Sequence, residues 1–190
     1  MSTSTLARTM FRSRRTTPGK LALTPARVLR VPVPIHEPLI AAGRYDYADA
    51  FEVQLDESDA RSAEEFARCA LEDAPSLVRG VVWVAHRYLL RLRLGPRSSP
   101  DHVFGWKIRT SERDVLCLEA QSPLLGRGVI VGRKPDRAHT VITTYVFFAR
   151  PAVARVLWTI AGPLHRRVAV YLLAYAAAQA QPVDDLARVG

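Results

Sequence analysis

The sequence predicts an α+β fold in which a curved antiparallel sheet wraps around one long C-terminal helix. Three observations predict it. Residues 151–180 form the last long apolar run, and their apolar side chains recur every three or four positions, the period of a helix with one apolar face. From residue 103 to residue 148 the period switches to two, with short polar turns between the segments, the mark of consecutive antiparallel hairpins. Two helical patterns lie between a first strand and that meander. Strands and helices segregated in this way belong to the α+β class.

The elements follow in order. The segment Val31-Pro-Val-Pro34 is extended, because each proline fixes its own φ and biases the residue before it; a short helical turn is expected over 36–42. Tyr45, Tyr47, Phe51, Val53 and Leu55 alternate with more polar residues and mark the first strand. Asp49 interrupts its apolar parity. We read Asp49 as a bulge or an edge position in preference to a buried working carboxylate. Ser62 followed by Glu65 is a capping box opening a short helix that ends near Asp73. Pro75 opens a second helix, with Leu77, Val78, Val81, Val82, Ala85, Tyr88, Leu89 and Leu92 at helical spacing up to Gly95. His86 on this helix reads as a packing or surface residue.

Strands are then predicted over 103–109, 115–121, 128–133 and 139–148. In the second of these, Leu116, Leu118 and Ala120 share one side and Cys117, Glu119 and Gln121 the other. The glycines at 126, 128 and 132 lead into β-branched residues and another turn, so they belong to a hairpin and not to a phosphate loop. In the final helix, Val153, Val156, Leu157, Ile160, Leu164, Val168, Tyr171, Leu172 and Tyr175 form the expected core stripe. Arg155, Thr159, Gly162 and Arg166 fall on the other side. Pro163 lies within this helix and predicts a kink or a clean break. A break would make Gly162 an N-cap and place His165 and Arg166 in a new first turn, a handle for anions; the plainer reading is a bent helix with its arginines in water.

A chain of 190 residues supports one domain, burying about 70% of its unfolded surface. The net charge of +9 is mainly local: residues 1–30 hold seven basic side chains and no acidic one, leaving about +2 for the rest. Residues 1–30 therefore read as a disordered basic leader, 31–180 as the domain and 181–190 as a flexible tail. The longest apolar run is interrupted by Arg155, His165, Arg166 and Arg167, which argues against a membrane span. No apolar core follows the leader's arginines, which argues against a secretory signal. Cys69 and Cys117 stand far apart in apolar settings and match neither a zinc pattern nor a disulfide framework. A reduced cytoplasmic home is expected, with no cofactor and no metal.

Tyr45-Asp-Tyr-Ala-Asp-Ala-Phe51, Ala74-Pro-Ser76 with the helix after it, Thr143-Thr-Tyr-Val146 and Pro163-Leu-His-Arg166 together carry a resemblance. Over about residues 31–178 the chain resembles a bacterial family of uncharacterised domains in the START-like, or polyketide-cyclase-like, helix-grip superfamily (SRPBCC). The resemblance implies a cavity for a hydrophobic ligand beneath the long helix; members include lipid carriers, hormone receptors and aromatase/cyclases. It carries over no catalytic set.

The first expectation is thus non-catalytic binding of a lipid-like or polyketide-like molecule. Trp106, Glu119, Tyr145, Trp158 and His165 are the candidate contacts, with Lys107 or Arg109 at the rim. The alternative is a cyclase, dehydratase or isomerase with His165 or Glu119 as acid or base, although nothing in the sequence pairs two such groups. A third class is contact with nucleic acid or an anionic membrane through residues 1–30.

Overall fold

The computed structural model describes residues 27–40 and 45–179. Strand β1 (Val28–Val31) is followed by β2 (Tyr47–Gln54), helices α1 (Ala63–Leu71) and α2 (Ser76–Val84), and a π-helical turn over Ala85–Leu89. Six strands then follow: β3 (Ser98–Ser99), β4 (His102–Val103), β5 (Trp106–Ser111), β6 (Val115–Ser122), β7 (Gly126–Arg133) and β8 (His139–Phe148). Helix α3 (Pro151–Ala178) closes the fold. All eight strands form one antiparallel sheet in the order β1-β2-β8-β7-β6-β5-β4-β3. The fold is α+β, as the patterns predict. Most of the expected leader and the tail over 181–190 lie outside the described residues, and β1 starts within the stretch assigned to the leader.

Local chemistry explains most boundaries. The capping box is present: the Ser62 hydroxyl accepts from the Glu65 backbone N–H and the Glu65 carboxylate accepts from the Ser62 N–H. The strand expected from residue 103 begins at Trp106, because Phe104 and Gly105 both take positive φ and form the two-residue turn between β4 and β5. Gly126, with φ +108°, begins β7, where a Cβ would collide with the Phe147 carbonyl. The second helix stops at Leu89, short of Gly95, and Arg91 breaks it with a left-handed backbone.

Three apolar clusters line the inner face of the sheet. Phe51, Val53 and Phe66 pack with Leu172, Leu173 and Ala176 of α3. Leu92, Trp106, Leu116 and Leu118 pack with Ala63 and Ala67 of α1. Leu125 and Val146 pack with Ala154, Trp158 and Ala161. A fourth cluster, with Cys117, Val129, Val131 and Tyr145, lies on the outer face and is covered by Val33, Leu39 and Ile40. Glu37 holds that cover by a two-pronged ion pair with Arg133. The far end of α3 is tied down by Arg61, which donates to the Ala176 carbonyl and pairs with buried Asp59, a cation at the negative end of a helix.

Helix α3 follows the plainer reading of Pro163, one continuous helix, and departs from expectation in the stripe it buries. It runs unbroken through Pro163, so no new helix start forms at Gly162. Its first half turns a different stripe inward. Ala154, Trp158, Ala161 and Gly162 are buried, while Val153, Val156, Ile160 and Leu164 are exposed, Val156 and Ile160 at 69% and 70%. Both stripes have helical spacing, so the period alone does not choose between them. Small residues let the helix approach: a Cβ on Gly162 would stand 3.2 Å from the Trp158 indole nitrogen.

Pro163 is exposed and leaves the Thr159 carbonyl without its intrahelical donor. Pro163→Ala restores that bond at little packing cost. It is expected to stabilise the protein by about 1–3 kcal/mol, read as a higher urea midpoint; an unchanged or lower midpoint refutes this account of the helix.

Candidate functional site

A cavity of about 100 Å³ lies between the sheet and α3, walled by α1 and α2 at the sides. Phe51, Leu116, Leu118, Ile130 and Ile142 form its floor, and Val168, Ala169, Leu172 and Leu173 its roof. The space stays open partly because Ala67, Ala70, Gly132 and Ala169 present little or no side chain to it. Among the described residues lining it, only His86, Thr144 and His165 carry polar side chains. A smaller hollow of about 60 Å³ lies between the second helix and α3. It shares Val82, His86, His165 and Val168 with the cavity, so the two histidines stand where the two spaces meet.

Asp49 sits behind His165. It lies on the concave side of β2, paired with Thr144 of β8 in an unshifted register, and is 1% exposed. It is therefore not a bulge; β1 ends opposite Ala50, so Asp49 is paired on the β8 side alone, and its carboxylate is buried. Its Oδ2 accepts from the Tyr47 hydroxyl at 2.6 Å, and that hydroxyl accepts from Arg166 at 3.1 Å. Its Oδ1 lies 3.5 Å from His165 Nε2. This separation is at the limit of a hydrogen bond. Both atoms are sealed from solvent and have no better partner among the described residues, so each is the other's compensation. Burial pushes the Asp49 carboxyl up, but His165, Tyr47 and Arg30 outweigh it and hold it below its ordinary value. Burial and the Asp49 carboxylate push the Tyr47 hydroxyl up.

His86 is carried on the π-helical turn. The Trp106 indole N–H donates to His86 Nδ1 at 3.4 Å, and the two rings meet edge to face with centroids 5.6 Å apart. The residue is half-buried and lines both spaces. Enclosure, with a smaller push from His165, lowers its pKa to about 4. The ring is thus neutral at neutral pH.

The five candidates named from the sequence separate. His165 lines the cavity, and Trp158 packs on both His165 and Tyr47, with ring centroids at 5.6 and 4.8 Å. Trp106 supports the site through His86 without lining the cavity. Glu119 and Tyr145 stand on the outer face. Glu119 pairs with Arg109 at 3.1 Å and accepts from Gln121, so neither it nor Arg109 reaches the cavity. Tyr145 is enclosed in the outer cluster against Tyr45, and burial pushes its hydroxyl up to about 12. Strand parity is the reason: both alternate with the inward residues Leu118 and Thr144. The anion handle envisaged at Pro163 is absent, since Arg166 turns to Tyr47.

Sequence reasoning undervalued Asp49 and His86. The signal for Asp49 was an acid on the apolar parity of a strand; for His86 it was four-residue spacing from Val82, which lines the same cavity. Cys69 and Cys117 are buried free thiols. Among the described residues no His, Cys, Asp and Glu side chains gather into a group that could hold a metal ion, and no helix is long and apolar enough to cross a membrane. Comparison of the chain with protein-family models, with curated proteins and with solved structures finds no match.

The two depressed groups act in different pH ranges. His86 binds its proton near pH 4 when folded and near 6.5 when unfolded. The unfolded chain therefore gains the proton first, and stability falls as pH drops from about 6.5 to 4. Asp49 contributes stability that is complete above its unfolded value of about 3.9 and is lost as pH falls through its lower folded value. Urea unfolding of His86→Gln is expected to show a flatter profile than the wild type between pH 6.5 and 4. The deficit of Asp49→Asn is expected to narrow only below about pH 4. Parallel profiles for all three proteins contradict both assignments.

Proposed function

We propose that the protein binds a small, largely apolar molecule in the cavity beneath α3, with one polar group of that molecule held by His86 and His165. The carrying observation is a cavity of about 100 Å³ whose lining is apolar except at His86, Thr144 and His165. Apolar walls with a few convergent polar groups are the usual composition of small-molecule sites. The volume is of the order of an engineered protein cavity of about 150 Å³ that takes up benzene. A molecule that enters leaves water at about 25 cal/mol per Å² of apolar surface before association costs. The resemblance to START-like domains supports the same reading and extends it to lipid-like or polyketide-like ligands; the volume favours the smallest of these, or one ring or chain end of a larger one.

Native mass spectrometry of the purified protein, followed by solvent extraction, is expected to reveal a bound molecule or a site that takes up added benzene. At a hundredfold excess over its Kd a ligand stabilises the fold by about 2.7 kcal/mol, a readily measured thermal shift. Ala169→Phe projects a ring into the cavity from α3 and is expected to abolish both uptake and shift. A wild-type protein that carries nothing and takes up no benzene refutes the binding reading.

A further inference from the structure

His86 and His165 line the same space, and each has one ring nitrogen turned to a protein neighbour, Trp106 and Asp49 respectively. An indole nitrogen only donates, so His86 Nδ1 accepts from Trp106 and the neutral ring carries its proton on Nε2. An ionised carboxylate only accepts, so the His165 nitrogen facing Asp49, Nε2, is a protonated one, and in the neutral form of that ring Nδ1 is the acceptor. His86 Nε2 and His165 Nδ1 have no hydrogen-bond partner among the described residues, and neither is among the polar atoms sealed from solvent. A donor and an acceptor therefore flank one apolar cavity, and the acceptor is backed by a buried carboxylate.

From this geometry we propose that the cavity is a catalytic site for proton transfer next to a carbonyl group, with His165 as general base, His86 as hydrogen-bond donor to the carbonyl oxygen, and Asp49 as the residue that positions His165. The proposal rests on the binding reading above, since the substrate must occupy the cavity. In the forward step a C–H bond next to the carbonyl breaks and its proton passes to His165 Nδ1. The electron pair forms the C=C bond of an enolate, whose oxygen accepts from His86 Nε2–H. The imidazolium formed at His165 is stabilised by Asp49. Returning the proton to the same carbon gives exchange, and returning it to a conjugated carbon gives isomerisation. No oxidant, reductant or metal enters the balance. A neutral imidazole suits the donor role, since it polarises an oxygen without itself being a strong acid. The other charged or titratable groups around the pair are Tyr47, Arg166 and Arg30, which contact or face Asp49 and its hydroxyl partner. The substrate class is a compact apolar ketone or aldehyde.

Two measurements on the full chain test this. The first is a long-range ¹H–¹⁵N correlation spectrum of the imidazoles in labelled wild-type protein at neutral pH, which needs no variant to fold. Both His86 and His165 are expected as Nε2–H tautomers; a proton on Nδ1 of either neutral ring overturns the assignment. The second is ¹H NMR of cyclohexanone in D₂O, following binding and the exchange of its α-hydrogens together. The protein is expected to speed exchange about 10²-fold or more over an equal concentration of free imidazole. His165→Gln is expected to abolish the acceleration while cyclohexanone still binds through the apolar walls, with lower affinity. Asp49→Asn is expected to slow exchange at least tenfold and to shift its pH profile, with binding kept. Binding without exchange above free imidazole overturns the catalytic proposal and leaves the binding reading standing. Absence of cyclohexanone binding overturns the catalytic proposal, and the benzene titration then decides the binding reading separately.

Discussion

A carboxylate buried on the concave face of the sheet is the constraint from which the position of α3 follows. An unpaired charge there costs several kcal/mol, more than most single packing changes. Asp49 is compensated by Tyr47 two residues along its own strand and by His165 on α3, with Arg166 closing the network through the Tyr47 hydroxyl. Two consecutive helical residues committed to one point set both the rotation and the height of a helix. With His165 turned inward, Ala154, Trp158, Ala161, Val168, Ala169 and Leu172 share its side by helical spacing. Val153, Val156, Ile160 and Leu164 are then left in solvent. Fully burying one aliphatic side chain is worth about 1.5–3 kcal/mol. The exposed stripe is thus a real expense, met by the burial of Trp158 and by compensation of the carboxylate.

The same arrangement keeps the cavity open. Helix α3 is held near its middle by the Asp49 network and at its end by Arg61, whose guanidinium bridges Asp59 and the Ala176 carbonyl. Between these anchors Val168, Ala169 and Leu172 span the space. The alanines at 67, 70 and 169 are too short to meet across it, and Gly132 adds nothing from the sheet. Among the described residues lining it, the polar interruptions are a hydroxyl and two imidazoles, each imidazole with one nitrogen turned to a neighbour. A pocket built this way can hold an apolar body and orient one polar atom, which is also the minimum that proton transfer requires.

The outer face shows how readily plausible chemistry is displaced by parity. Glu119 and Tyr145 carry useful groups and sit on central strands, yet the alternation that sends Leu118 and Thr144 inward sends both of them outward. There Glu119 joins Arg109, and Tyr145 becomes an anchor for the segment that covers the sheet. Lone residue type was a poor guide to the site, whereas a residue that violated the pattern was a good one. Asp49 broke the apolar parity of β2, and the violation was compensated chemistry in place of a bulge.

What the sequence determined by itself was local. The capping box at Ser62 and Glu65, the change from a period of 3.6 to one of two near residue 103, and the proline and glycine turns fix their elements through bonds between near neighbours. They made the α+β order legible with boundaries correct to a few residues. Alternation separated the two sides of β6, but not which side faces α3, and Glu119 and Tyr145 were expected at the cavity although both stand on the outer face. Tertiary structure decided what depends on partners far away in the chain. It chose between two apolar stripes of α3 and carried the helix through Pro163. It also gathered Asp49, His86 and His165, more than a hundred residues apart at the extremes, around one cavity. A periodic pattern states that a face is apolar, but which face turns inward is settled by the buried charge it must meet.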